Sequence, residues 1–169
     1  MQLGFVGLGR MGSNMVTRLL QGGHSVVAWD VNADAVRAVA AAGARGAASL
    51  AELAGVLAPP RAVWVMVPAG EPTEKTVREL AGLLATGDTI VDGGNSYYKD
   101  AIRRAAELAP RGLFYVDAGT SGGIWGSSSA TASWSAGRRR PSPGSSPCSG
   151  RSRPPTATST SGRAGPGTT

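Results

Sequence analysis

An α/β fold, doubly wound around a mostly parallel sheet, is what this sequence predicts over its first 126 residues. Three observations carry the prediction. Short apolar runs alternate with amphipathic stretches of about ten residues, the pattern of strand–helix–strand units. The first run ends on Gly7-Leu8-Gly9-Arg10-Met11-Gly12, a glycine turn between a strand and a helix. Three later runs end on polar, Gly- or Pro-containing stretches, at the carboxyl strand ends where open α/β sheets take ligands.

Each element follows from local pattern. Gln2–Val6 is apolar and stops at the turn, as a buried parallel strand does. Ser13–Gln21 has Met15, Val16, Leu19 and Leu20 at helical spacing and ends at Gly22-Gly23. Ser25–Asp30 reads as the second strand and Ala33–Ala42 as an alanine-rich helix stopped by Gly43. Ser49 starts a third helix, with Glu52 three residues on completing a capping box. Ala62–Val67 is an apolar strand cut off by Pro68, and Thr73–Leu84 puts Val77, Leu80, Leu83 and Leu84 on one helix face. Thr89–Asp92 is a strand, Ser96 is placed to cap a helix running through Leu108, and Leu113–Asp117 is the last strand expected. Trp29 and Trp64 fall inside strands and read as core; Tyr97 and Tyr98 read as packing at a helix start. The crossovers are expected to be right-handed.

Gly7 to Gly12 spell G-x-G-x-x-G. The first glycine permits the tight turn, the second lets backbone approach a pyrophosphate, and the third lets helix pack on strand. Leu8, Arg10 and Met11 complete the cradle, and the helix N-terminus offers N–H groups and a positive dipole to the anion. Asp30 closes the second strand, 18 residues after Gly12. A carboxylate near that distance accepts hydrogen bonds from the adenosine ribose of NAD and repels a 2′-phosphate. Val31 and Asn32 follow, with no arginine. NAD is therefore the expected cofactor and NADP the lesser one, Arg37 being the residue that would admit it.

Residues 127–169 break the pattern. They hold six Arg, six Pro, six Gly and twelve Ser, and no Asp, Glu, Lys, Leu, Ile, Val, Phe or Tyr. Such a segment buries too little apolar surface to offset its ordering entropy, and a disordered tail is expected. The whole chain has 17 basic and 11 acidic residues, net +6, and the tail's six Arg supply all of that excess. The folded part is neutral, so the charge says nothing about its partner. Arg138-Arg139-Arg140 offers cations to nucleic-acid phosphates, but Trp134 is the tail's only aromatic residue for stacking, and no nucleic-acid partner is expected. One cysteine, Cys148, leaves no internal disulfide or cysteine metal cluster. No apolar run reaches about 18 residues, so no membrane partner is expected. No signal peptide is expected ahead of the first strand, and the location expected is cytoplasmic.

Three strand-end segments narrow the family. They are Val65-Met66-Val67-Pro68-Ala69-Gly70, Asp92-Gly93-Gly94-Asn95-Ser96, and Asp117-Ala118-Gly119-Thr120-Ser121-Gly122-Gly123-Ile124-Trp125-Gly126. Together they resemble the decarboxylating 6-phosphogluconate dehydrogenases over residues 1–126, and Asp30-Val31 resembles the NAD-preferring branch. Related β-hydroxyacid dehydrogenases share the first turn and the Ser-Gly-Gly, but not usually the Asp92–Ser96 stretch or the Gly-Ile-Trp-Gly ending. The resemblance implies a Rossmann-type sheet and oxidation of the C3 hydroxyl of 6-phosphogluconate, followed by loss of CO2 to give ribulose 5-phosphate. It implies that Val67 and Ala69 line the cofactor cleft, and that Asn95 meets both cofactor and substrate. It also implies that Ser121, Gly122 and Gly123 hold the substrate's carboxylate end. The chemistry agrees: Asn95 carries donor and acceptor, and Ser-Gly-Gly presents several N–H groups to an anion. Asp92 and Asp117 read as strand-end caps and His24 as a solvated turn residue.

The resemblance stops after Gly126. The family continues with a strand containing Leu-Met-Val-Gly-Gly, then a helical domain that carries its general-base Lys and general-acid Glu. No position here matches them, so no catalytic residue is assigned; Lys75 and Lys99, the only lysines, stand outside the family motif. Ala132-Ser133-Trp134-Ser135-Ala136 is encodable as GCC-TCA-TGG-TCG-GCG, which in a shifted frame contains CTC-ATG-GTC-GGC, or Leu-Met-Val-Gly. Residues 127–169 are therefore expected to be a frameshift product. A sheet lacking its final strands would have an open edge and an exposed apolar face, and assembly through the missing helical domain is not expected. The readings to be separated are the cofactor half of such an enzyme, a related β-hydroxyacid dehydrogenase, and a nucleotide-binding module with a basic tail.

Overall fold

The computed structural model describes residues 1–121 and 131–134. Among them are seven strands: β1 (Gln2–Val6), β2 (Ser25–Trp29), β3 (Arg45–Gly46), β4 (Ala62–Val65), β5 (Thr89–Asp92), β6 (Phe114–Ser121) and β7 (Thr131–Trp134). They form one sheet in the order β3-β2-β1-β4-β5-β6-β7. The first six are parallel, and β7 pairs antiparallel with β6. The helices are α1 (Arg10–Gln21), α2 (Ala33–Ala41), α3 (Leu50–Val56), α4 (Glu71–Leu83) and α5 (Tyr98–Leu108). This is the doubly wound Rossmann-type sheet that the sequence predicts.

Each sheet face has its own core. Val16 of α1 and Val39 of α2 pack with Phe5, Val26 and Trp64 on one face. Leu53 of α3, Leu80 of α4 and Leu108 of α5 pack with Val27, Val63 and Ile90 on the other. The fully buried leucines each stabilise the fold by roughly 1.5–3 kcal/mol relative to exposure. Phe5 stacks on Trp64 with ring centroids 6.5 Å apart. Winding from β1 toward β3 in one direction and from β4 toward β6 in the other places a topological reversal between β1 and β4, where such sheets open a ligand crevice.

Three expectations are corrected. The sheet does not end at Asp117: β6 runs on to Ser121 and pairs with Thr131–Trp134. Backbone pairing needs no apolar side chain, so a polar strand can extend a sheet that the periodicity had closed. Ser96 does not cap α5. Tyr97 occupies that position without a side-chain bond, because the Ser96 hydroxyl donates to Asp92 instead. Tyr97 and Tyr98, expected as packing at a helix start, are exposed and meet each other edge to face at 4.9 Å. The capping of α3 is as expected in kind, with Glu52 N–H donating to Ser49 Oγ. The Glu52 carboxylate, however, accepts from Ala48 N–H, one residue earlier than a regular capping box has it.

Candidate functional site

A cleft of about 1070 Å3 runs along the carboxyl ends of the strands. Its floor is the Gly7–Gly12 turn, Met66 to Pro68 and Gly93 to Asn95. One wall is the α4 face carrying Lys75, Thr76 and Glu79, and Asp30 and Val31 stand at the β2 end.

The three turn glycines have three different reasons. Gly7 has φ 93°, and a Cβ there would strike the Met66 carbonyl. At Gly12 a Cβ would strike the Gly7 carbonyl, so its absence lets α1 lie against the turn. A Cβ at Gly9 would meet nothing within 4 Å. That bare backbone faces the cleft, and its open space is what a bound group would use. Gly9 also precedes α1 and supplies no side-chain cap, and the first turn of α1 has no acidic residue. By contrast α2 and α3 are capped by Asn32 and Ser49. The leading N–H groups of α1 therefore remain free of side-chain caps at the cleft, with the positive end of the helix dipole behind them. These residues fit a pyrophosphate.

Asp30 lines the cleft and also builds it. Its carboxylate accepts from Leu8 N–H at 2.5 Å and from Asn32 N–H at 2.7 Å. The expected role of Leu8 is corrected accordingly: its N–H is spent on Asp30 and its side chain is buried in the core. Arg10 and Met11 line the cleft, and so does Val67. Ala69 is exposed and is not among the residues that line the cleft, which departs from the expectation for it. Arg37, the residue that would admit NADP, lies outside this cleft and is bonded to Asp34 one turn away on α2.

Opposite the glycine turn, Asn95 is exposed and lines the cleft at φ 58°. Its neighbours are fixed. Gly93 N–H donates to the Val65 carbonyl at 2.8 Å, and its own carbonyl accepts from Thr120 Oγ1 at 3.1 Å. Asp92, fully buried, accepts from Gly94 N–H at 3.0 Å, Ser96 Oγ at 2.6 Å, Tyr115 OH at 2.5 Å and Arg104 Nη1 at 3.3 Å. Burial and the Asp92 carboxylate push the Tyr115 phenol up, so it stays protonated and donates. Arg104 continues to Glu74 on α4 at 2.9 Å. The hydrogen bond from Arg103, with Arg104 adding to it, holds Glu74 down at about 2. Burial, then the charge of Asp92, pushes Asp117 up.

Ser121 ends β6 at this edge, pairing with Thr131; Gly122 and Gly123 lie outside the described residues. Sequence reasoning missed Thr120 and Lys75 as cleft residues. Thr120 sits one residue before the noticed Ser-Gly-Gly. Lys75 carries no motif, although its place one turn from Glu71 and Glu79 on α4 was a signal for a shared face. Asp92, expected as a strand-end cap, does cap the turn through Gly94, but it also centres a buried ionic network. Among the described residues no three His, Cys, Asp or Glu side chains are grouped to hold a metal, and no helix is long and apolar enough to cross a membrane.

A glycine turn, an uncapped helix and an acidic residue on the next strand, set around a cleft at the sheet's topological reversal, define a dinucleotide-binding domain of the dehydrogenase class. Residues 2–142 match the family described as the NAD binding domain of 6-phosphogluconate dehydrogenase, and the chain belongs to that family. The match passes Gly126, where the motif resemblance had stopped. The NAD(+)-dependent, decarboxylating 6-phosphogluconate dehydrogenase of Haloferax volcanii is 47% identical over 123 residues, covering 73% of this chain and 40% of that protein. The decarboxylating enzyme of Treponema pallidum is 38% identical over 126 residues, covering 72% and 26%. Among solved structures, 3-hydroxyisobutyrate dehydrogenase from Salmonella typhimurium aligns with a TM-score of 0.67 at 30% identity, over 75% of this chain and 44% of that one. The chain thus spans well under half the length of these relatives. NAD is the cofactor of the domain, and its relatives are oxidoreductases.

Proposed function

We propose that this chain is the cofactor-holding half of an NAD-dependent, decarboxylating 6-phosphogluconate dehydrogenase and that it does not turn over substrate by itself. The observation that supports this best is the convergence on one cleft of the bare Gly9 backbone, the uncapped start of α1 and the Asn95 loop. When bound there, NAD supplies the hydride acceptor. The pyrophosphate lies on Gly7–Gly12, and Asp30 accepts from ribose hydroxyls with the lone pairs left over from Leu8 and Asn32. Asn95 bonds cofactor and substrate, and Ser121, Gly122 and Gly123 hold the substrate carboxylate. Residues 127–169 are read as out of frame behind a domain of residues 1–126, although Thr131–Trp134 still pairs on β6 as an added strand. The location is cytoplasmic, without nucleic-acid or membrane partners, and without assembly through a helical domain.

No side chain described around the cleft pairs as a general base with a general acid. Lys75 and Glu79 line the cleft from α4. The test is to titrate the purified chain with NADH and then supply NAD with 6-phosphogluconate. Binding without NADH formation is expected. Absence of NADH binding would remove the first half of the proposal, and turnover the second.

A related β-hydroxyacid dehydrogenase is the alternative substrate class, favoured by the alignment with 3-hydroxyisobutyrate dehydrogenases. Short hydroxyacids tested on a chain repaired at the frame break distinguish the two.

A further inference from the structure

We propose that Asp92 is a positioning residue: held by Arg104, its carboxylate clamps both neighbours of Asn95 and so presets the one side chain of that loop which faces the cleft. This rests on the reading that Asn95 meets the ligand.

The geometry is specific. Asp92 Oδ1 accepts from Gly94 N–H at 3.0 Å, and Oδ2 accepts from Ser96 Oγ at 2.6 Å. One carboxylate therefore fixes the residues on both sides of Asn95. Between them Asn95 takes φ 58°, a left-handed conformation that Asn tolerates better than most side chains but that no L-residue prefers. No described residue bonds its side-chain amide. An unsupported loop would relax from this conformation; two bonds to one buried anion prevent that.

Asp92 cannot itself serve a ligand. Its Oδ2 accepts from Ser96, Tyr115 and Arg104 and its Oδ1 from Gly94, and burial closes the carboxylate to anything in the cleft. It is fully buried and off the cleft wall. Whatever it does for binding passes through the loop. Arg104 ties the clamp to Glu74, and so to α4, the helix that forms the facing wall of the cleft. Docking of α5 alone would need only the Arg104 pairs; the bonds to Gly94 and Ser96 act on the loop.

The experiment uses the full chain with Ser96→Ala, Ser96→Thr, Asp92→Asn and Asn95→Ala. Two readouts are taken: NADH affinity from nicotinamide fluorescence, and the amide exchange and HN–Hα coupling of Gly94 to Ser96 by NMR. Ser96→Ala loses the bond to the buried Asp92 carboxylate and the longer one that Arg104 Nη1 donates to Ser96 Oγ at 3.2 Å, which predicts about tenfold faster exchange at Asn95. NADH affinity falls about tenfold with it, while the amides of β1 and α1 stay as they were. Ser96→Thr, which keeps the hydroxyl, restores both values and so ties the effect to the hydrogen bonds of that hydroxyl. Asp92→Asn exceeds Ser96→Ala in the same direction; should it not fold, the Ser96 pair carries the test. Unchanged Asn95 exchange and coupling in Ser96→Ala overturns the clamp. Loop loosening without any change in NADH affinity also overturns it as a binding device, provided Asn95→Ala weakens NADH. If Asn95→Ala leaves NADH affinity unchanged, the reading of Asn95 as a cofactor residue fails, and with it the positioning role.

Discussion

Asp30 and Leu8, 22 residues apart, are joined by a 2.5 Å hydrogen bond from the Leu8 N–H to the Asp30 carboxylate. The carboxylate proposed to meet the cofactor's ribose thus also fastens β2 to the turn proposed to hold its phosphates. Replacing Asp30 with Ala is expected to lower stability by about 1–2 kcal/mol with no ligand present and to weaken NADH by about tenfold or more. Urea unfolding and fluorescence titration measure the two effects. Unaltered apo stability would show that the carboxylate serves the ribose alone.

Gly9 and Gly12 separate binding from folding. Gly9 has φ −58°, open to any residue, and a side chain there meets only the cleft. Gly9→Val is expected to change stability by no more than about 0.5 kcal/mol while abolishing NADH binding. Gly12→Ala collides with the Gly7 carbonyl and should destabilise by about 1–3 kcal/mol. Equal stability losses in the two variants would contradict the assignment.

Acid should unfold the domain in a defined window. Glu74 is lowered from 4.5 to about 2, so its contribution is complete above about pH 4.5 and is lost as pH falls toward 2. Asp88 shifts in the same direction: burial pushes it up, but hydrogen bonds from Ala85, Arg61 and the Arg61 guanidinium outweigh that. Asp117 is raised, so its contribution has the opposite sign, present at low pH and lost as pH rises through its folded value. Thermal midpoints between pH 5 and 2 should therefore fall, and fall less steeply for Glu74→Gln. A parallel curve for that variant would be evidence against the Arg103–Glu74 bond.

Asp88 sits at the amino end of β5, remote from the cleft, and is 1% exposed. It accepts from Arg61 N–H at 2.6 Å and Ala85 N–H at 2.9 Å, and pairs with the Arg61 guanidinium at 3.1 Å. Asp88→Ala leaves these donors unanswered and should cost about 3–5 kcal/mol. Protein that remains folded should keep its NADH affinity. A selective loss of affinity would mean the two ends of β5 are coupled.

A chain ended at Arg139 should bind NADH as the full chain does and melt at the same temperature. The deleted residues contain no Asp, Glu, Leu, Ile or Val with which to support the cleft. Weaker binding on deletion would give that segment a role.

The parts legible in the sequence were those set by local backbone chemistry and hydrophobic period. Thr89–Asp92 was placed to the residue, and Gly7, Gly9 and Gly12 stand where a strand-to-helix phosphate turn needs them. The illegible parts depend on partners far along the chain. Ser96 looks like a helix cap until Asp92 competes for its hydroxyl. Arg104 looks like a surface residue of an amphipathic helix, yet it is 2% exposed, because Asp92, Tyr115 and Glu74 arrive from three other elements. Tyr98 and Ile102, one turn apart on α5, are exposed despite their size and apolar character. Strand β3 has two residues, too few for any periodicity to register.

The absence of a side chain at Gly93 has an optical consequence. A Cβ there would lie 2.5 Å from the Trp64 Nε1, so the bare backbone lets an indole ring lie directly beneath the Asn95 loop. Trp29 stands on the cleft wall itself. Indole emission overlaps the absorption of reduced nicotinamide, so excitation passes from these rings to a dihydronicotinamide held in the cleft. The domain therefore carries its own donor fluorophores, and loading of the cleft can be followed as sensitised blue light without a label.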